Sequence, residues 1–122
     1  MTAIRVLIAD DQADVRGAIM MILKGTDDIE VVGEAGDGEQ AVTMARELRP
    51  DVVLMDVRMP RLDGISAAGR LTEVCAVLIL TTFATDEDAS RARRAGVAGF
   101  LLKDTEATAL VEAVRAAARG SG

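Results

Sequence analysis

Val52-Val53-Leu54-Met55-Asp56 is the stretch that decides the fold: four apolar residues with no alternation, running straight into a carboxylate. A strand with no polar face is covered on both sides, as in the middle of a parallel sheet. Parallel strands need long crossovers, so helical stretches are expected on either side. Upstream, Ala41, Val42, Ala45 and Leu48 form a helical stripe with Asp37 as its N-cap, stopped before Pro50. Before it, Ile29 to Ala35 reads as a strand, and Val15, Ala18, Ile19, Ile22 and Leu23 as a helix closed by Lys24-Gly25. The β-branched run Ile4 to Ala9 begins the series and ends at Asp10-Asp11. Downstream, Asp56 to Asp63 is a loop holding Pro60, and Asp63-Gly64 opens a third helix carrying Ile65, Ala68 and Leu71. Val77 to Leu80 is a fourth strand ending at Thr81-Thr82. Asp86 to Ala95 is a helix whose inner face offers little but Ala89, Ala92 and Ala95. Val97 to Leu102 is a fifth strand running into Lys103-Asp104. Glu106 to Arg119 is a last helix with the stripe Ala107, Leu110, Val111, Val114 and Ala118. Strand and helix thus alternate throughout, which predicts an α/β fold: a single doubly wound, five-stranded parallel sheet.

Composition narrows the function classes. At 122 residues the chain is one domain, large enough for a core without disulfide or metal staples. Only Phe83 and Phe100 are aromatic, so aliphatic residues must fill that core. A net charge of −6 and a pI near 4.6 argue against a nucleic-acid surface, which needs clustered Lys and Arg. Histidine is absent, which removes His-based triads, haem ligation, most catalytic zinc sites and a phosphohistidine carrier. Cys75 is alone and cannot form an internal disulfide. The longest apolar run, Val74 to Leu80, is far short of the roughly 20 residues of a spanning helix. A soluble, cytoplasmic protein with no membrane partner is the expectation.

In doubly wound sheets the ligand site lies beyond the carboxyl ends of the strands. Those ends carry Asp10-Asp11, Asp56, Thr81-Thr82 and Lys103. Carboxylates without His or thiolate suit a hard cation such as Mg2+. Lys supplies a point charge for a phosphoryl oxygen and Thr a hydroxyl donor. A carboxylate in such a set can be a nucleophile toward phosphorus, giving an acyl phosphate. Each residue alone has a plainer reading: turn or cap aspartates, β-branched strand threonines and a solvated lysine. Their joint placement at carboxyl ends is what favours the chemistry. Other features read as structure. Arg91, Arg93 and Arg94 form a solvated face with Glu87 and Arg91 as an i,i+4 pair, and Cys75 is a small hydrophobe beside strand 4.

Asp10-Asp11, Met55-Asp56-Val57-Arg58-Met59-Pro60 with Asp63-Gly64, Leu80-Thr81-Thr82-Phe83, and Gly99-Phe100-Leu101-Leu102-Lys103-Asp104 together resemble the receiver domain of two-component response regulators. The last two motifs resemble its NarL/FixJ subfamily. The resemblance implies a flavodoxin-like strand order 2-1-3-4-5 with five helices, the order that general rules for doubly wound folds already associate with this architecture. It makes Asp56 the phosphoacceptor. It makes Asp11 a direct Mg2+ ligand, Asp10 a water-mediated one, and the Arg58 backbone carbonyl a further ligand beside Asp56. Lys103 becomes the phosphate-binding cation, Thr81 the switch hydroxyl (with Thr82 next to test) and Phe100 the switch aromatic. Two departures from the family pattern are Asp104, where many receivers have proline, and a short connection over Thr72 to Ala76.

The function implied is a phosphorylation-controlled switch in a His-to-Asp phosphorelay, not an enzyme. A sensor histidine kinase supplies the phosphoryl group, and phosphorylation favours a homodimer. Subfamily members usually carry a helix-turn-helix domain after the receiver, so DNA is contacted only through a C-terminal domain missing from this sequence. Residues 1–119 are read as the receiver and 120–122 as the start of a linker. The alternatives are a stand-alone receiver acting by protein contact, a receiver-like module that is never phosphorylated, and a small Mg2+-dependent aspartyl-phosphate phosphohydrolase. Against the last, Asp56 is followed by Val57-Arg58 and not by the second aspartate such enzymes want.

Overall fold

A computed structural model of the chain describes residues 3–120. The strands are β1 (Ile4–Ala9), β2 (Ile29–Ala35), β3 (Val52–Met55), β4 (Ala76–Thr81) and β5 (Gly99–Leu102). The helices between and after them are α1 (Ala13–Lys24), α2 (Gly38–Leu48), α3 (Gly64–Gly69), α4 (Asp86–Ala95) and α5 (Ala107–Gly120). All strand pairs are parallel and the order is β2-β1-β3-β4-β5. This is the predicted flavodoxin-like order, with the strand order reversing between β1 and β3.

The absence of alternation in β3 has a direct cause. Val53 and Met55 point into one core with Leu7, Ala9, Val77 and Ile79, where Ala41, Val42, Ala45, Ile65, Ala68 and Ala92 close over them. Val52 and Leu54 point to the opposite face with Val6, Ile8, Leu78 and Leu80, under Ile19, Leu23, Leu110 and Val114. One face of the sheet is thus covered by α2, α3 and α4 and the other by α1 and α5. No residue of β3 or β4 is exposed. Burying a Val or Leu side chain contributes about 1.5–3 kcal/mol, so the two central strands anchor everything at their ends.

Several boundaries differ from the sequence expectation. α3 ends at Gly69, a poor helix former, and Leu71 reaches the core from the tighter turns that follow, its amide bonding the Ala68 carbonyl at 2.9 Å. β5 starts at Gly99 and not at Val97. Gly96 closes α4 in the left-handed conformation (φ 85°), and the Val97 amide is spent on the Ala92 carbonyl before pairing can begin. α5 runs from Ala107 through Gly120, one residue later at each end than the expected Glu106 to Arg119. Ser121 and Gly122 lie outside the described residues. In α1, Ala18 of the expected stripe is exposed. Among the described residues no helix is long and apolar enough to cross a membrane.

Candidate functional site

β1 and β3 are neighbours in register, Ala9 opposite Met55, so the residues that follow them emerge side by side. The Asp10 amide bonds Ala35 and the Asp56 amide bonds Ala9, each at 3.0 Å, which extends the ladder by one residue and fixes both backbones. The result is a cluster in which one carboxylate oxygen each of Asp10, Asp11 and Asp56 lies within 4.8 Å of the others. Asp10 and Asp56 are buried and Asp11 is exposed. Asp10 Oδ1 accepts from the Gln12 amide at 2.9 Å, and Asp56 Oδ1 from the Val57 amide at 2.8 Å. Each carboxylate is oriented by the backbone that follows it.

The cation at the end of β5 crosses into this cluster. The Lys103 amide bonds the Thr81 carbonyl at 2.8 Å, and its ammonium donates to Asp10 Oδ2 and, at 3.2 Å, to Asp56 Oδ2. Burial alone would lower the Lys103 pKa, but the two carboxylates outweigh it and hold it above the ordinary range. The sum is three carboxylates against one ammonium. Among the described residues Asp11 has no cation within ion-pair distance. Such a set of hard oxygens with surplus negative charge and one open side fits a divalent cation that keeps some of its waters.

Gly64 holds the loop after Asp56 in place. A Cβ there would stand 1.8 Å from the Asp56 carbonyl oxygen, so only glycine lets the first turn of α3 come this close to the phosphoacceptor candidate. Asp63 caps that turn, its Oδ1 accepting from the Ile65 and Ser66 amides at 3.0 Å. Thr81 ends β4 fully buried, with its hydroxyl donating to the Phe83 carbonyl at 3.3 Å, whereas Thr82 beside it is exposed.

Like Thr81, the side chains of Phe100 and Arg58 do not bond the carboxylates. Phe100 is half-buried in β5, against the core on the α4 side, where it lines a groove with Ala89, Ala92, Arg93 and Val97. The Arg58 side chain pairs with Asp88 on α4 at 2.6 Å. Asp88 was not anticipated. Its sequence signal is the Thr-x-x-Asp of a capping box, and both bonds of that box are present: the Asp88 amide to Thr85 Oγ1 at 3.0 Å, and the Thr85 amide to Asp88 Oδ2 at 3.1 Å. The Arg58 guanidinium beside Asp88 holds that carboxyl down at about 2, against a smaller opposing effect of burial. The inner face of α4 is therefore not alanine alone; Asp88 and Ala92 are its buried members. Arg91 is also corrected. It pairs with Asp63 at 3.3 Å and the Ser66 hydroxyl at 3.3 Å, across to α3, and not with Glu87.

The family model for the response regulator receiver domain matches residues 6–115. The chain belongs to this family. The receiver is 47% identical over 120 residues to the uncharacterized transcriptional regulatory protein YxjL of Bacillus subtilis, covering 96% of this chain and 55% of that protein. It is 42% identical over 118 residues to the transcriptional regulatory protein DesR of the same organism, covering 96% and 59%. Among solved structures it is similar to the signal receiver domain of the response regulator NarL from Mycobacterium tuberculosis, with a TM-score of 0.94 at 34% identity over 98% of this chain and 99% of that one. The receiver spans a little over half the length of the curated relatives it matches. Those relatives are regulators of transcription and not enzymes by name.

Proposed function

We propose that the receiver is switched by a phosphoryl group on Asp56, delivered by a sensor histidine kinase. The observation that supports this most is the meeting of Asp10, Asp11, Asp56 and Lys103 at the switch point of the sheet. An Asp56 carboxylate oxygen donates an electron pair to phosphorus, and the bond from phosphorus to the donor's imidazole nitrogen breaks. That nitrogen keeps the electron pair, and the product is an acyl phosphate. The chain has no histidine, so the donor is a partner.

Asp10, Asp11 and Asp56, with the Arg58 backbone carbonyl, would hold Mg2+, Asp10 through a water. When bound, such an ion supplies charge neutralisation to the transferring group. Lys103 stands beside Asp56 and exchanges a carboxylate partner for a phosphoryl oxygen, a charge-assisted bond of the stronger kind. Thr81 donates to another oxygen by turning its hydroxyl away from the Phe83 carbonyl, and Phe100 follows into the space it leaves. Output is a population shift that favours a homodimer, with DNA contacted through a domain outside this sequence. Residues 1–119 carry the switch, and the protein works in the cytoplasm.

The test is labelling by acetyl phosphate. Wild type should take up phosphoryl in a Mg2+-dependent, stoichiometric and slowly reversed reaction. Asp56→Asn should take up none, and Lys103→Ala should label more slowly. Rapid multiple turnover of acetyl phosphate would favour a phosphohydrolase, and no labelling at all a receiver-like binding module.

A further inference from the structure

Two arginine–aspartate pairs tie α4 to the segment that follows Asp56, and they run in opposite directions. Arg58 reaches from the loop to Asp88, and Arg91 reaches from α4 back to Asp63. Asp88 and Arg91 stand three residues apart and so share one face of the helix. The partners of the first pair are unequal. Asp88 is fixed, with its side chain 8% exposed and its Oδ2 shared with the Thr85 amide, whereas the Arg58 side chain is 52% exposed. Arg58 holds Asp88 by one short contact of 2.6 Å and one long contact of 3.4 Å, which is not a symmetric fork. It also lies within electrostatic reach of the Asp56 carboxylate, two residues away in the chain. Apart from this pair and the Thr85–Asp88 capping box, the N-terminal half of α4 has little to hold it. Its flanking residues Asp86 and Glu87 are exposed and Ala89 is only half-buried.

We propose that Arg58 is an exchangeable latch, clamping Asp88 and the first turn of α4 in the unmodified protein and leaving Asp88 for the phosphoryl group once Asp56 carries one. The inference rests on the reading of Asp56 as phosphoacceptor. A phosphoryl group adds about −1.5 to −2 charge and three acceptor oxygens, a better match for the planar guanidinium than the asymmetric contact with Asp88. The exchange frees the N-terminal turn of α4 on its loop side, while Arg91 keeps the next turn docked on Asp63. It is a second route from the site to α4, separate from Thr81.

Amide hydrogen exchange over residues 86–95 tests it, in wild type, Asp88→Asn and Arg58→Gln, each with and without Mg2+ and beryllofluoride. Asn at 88 retains an acceptor for the Thr85 amide. Arg58→Gln leaves the capping box whole, which covers a failure of the first variant to fold. Without beryllofluoride both variants should exchange about fivefold faster than wild type in the first turn, the loss of a pair worth about 1 kcal/mol. Wild type should reach that rate only when beryllofluoride is added, and the variants should gain less than about twofold further. Resting rates equal to wild type, or variants that show the full wild-type increment, overturn the latch. Failure of wild type to bind beryllofluoride at Asp56 removes the phosphoacceptor reading and the exchange with it, while the resting difference between variants and wild type still reports the clamp itself.

Discussion

Replacing Lys103 by methionine removes the ammonium that pairs with two of the three carboxylates in the site. Asp10 and Asp56 are 1% and 7% exposed, so solvent cannot take over the role of the ammonium. With oxygens within 4.8 Å of each other, two such charges repel by about 3.5 kcal/mol or more at an effective dielectric of ~20. Breaking a buried pair by removing one partner costs about 3–5 kcal/mol in general, which agrees. We expect Lys103→Met to lose about 3 kcal/mol in urea unfolding without divalent cation, and roughly 10 °C in Tm. The signature is in the rescue. Asp10→Asn added to Lys103→Met should restore most of the loss. Mg2+ should stabilise Lys103→Met more than wild type, since a cation that binds only the folded form gains from the greater negative charge. A loss below about 1 kcal/mol, or a loss that neither Asp10→Asn nor Mg2+ reduces, would refute the electrostatic account of the cluster.

Three further outcomes follow from particular contacts. Gly64→Ala, with a Cβ 1.8 Å from the Asp56 carbonyl oxygen, should cost about 3 kcal/mol or abolish the cooperative transition, while Gly69→Ala, which meets nothing within 4 Å, should be neutral or stabilising by up to about 1 kcal/mol; urea midpoints compare them. Asp88, held at about 2 in the folded state against 3.8 as a free side chain, contributes stability above pH 4 that is lost as pH falls to 2. Asp88→Asn should therefore cost about 1 kcal/mol at neutral pH, the half-exposed Arg58 limiting the figure, and its deficit should vanish between pH 4 and 2. Thr81→Ala should still take phosphoryl at Asp56 but lose most of the beryllofluoride-induced change in hydrogen exchange over residues 86–102; an unaltered response would pass the switch role to Thr82.

What could be read from the chain was whatever repeats locally or is set by solvent. β3 and the run Val77 to Leu80 of β4 announce two-sided burial by having no polar residue, and the meeting of the strand-end carboxylates at one edge follows from the strands being parallel. Asp37 and Gly25 mark helix ends because capping is a short-range matter. The failures share a cause. Arg58 and Asp88 are 30 residues apart, and nothing in either neighbourhood says that a long flexible cation will reach over to α4. The sequence pattern of α4 points its alanines inward and its charges to water, yet Asp88 turns inward since it has both a cap to complete and a cation to meet. Arg91 had Glu87 one turn away and took Asp63 instead, where the Ser66 hydroxyl gives its guanidinium a further contact. β5 starts two residues later than the sequence suggests because the strand-favouring Val97 has its amide already committed to closing α4.

The central claim is that Asp56 is the residue that accepts phosphoryl. Wild type treated with acetyl phosphate and Mg2+, then reduced with borohydride, should have its acyl phosphate converted to an alcohol. Peptide sequencing by mass spectrometry then reads homoserine in place of aspartate at the modified position. Homoserine at 56 alone, and at no position in untreated protein, is the predicted result. Homoserine at 10, 11 or any other acidic position, with 56 unmodified, would contradict the account.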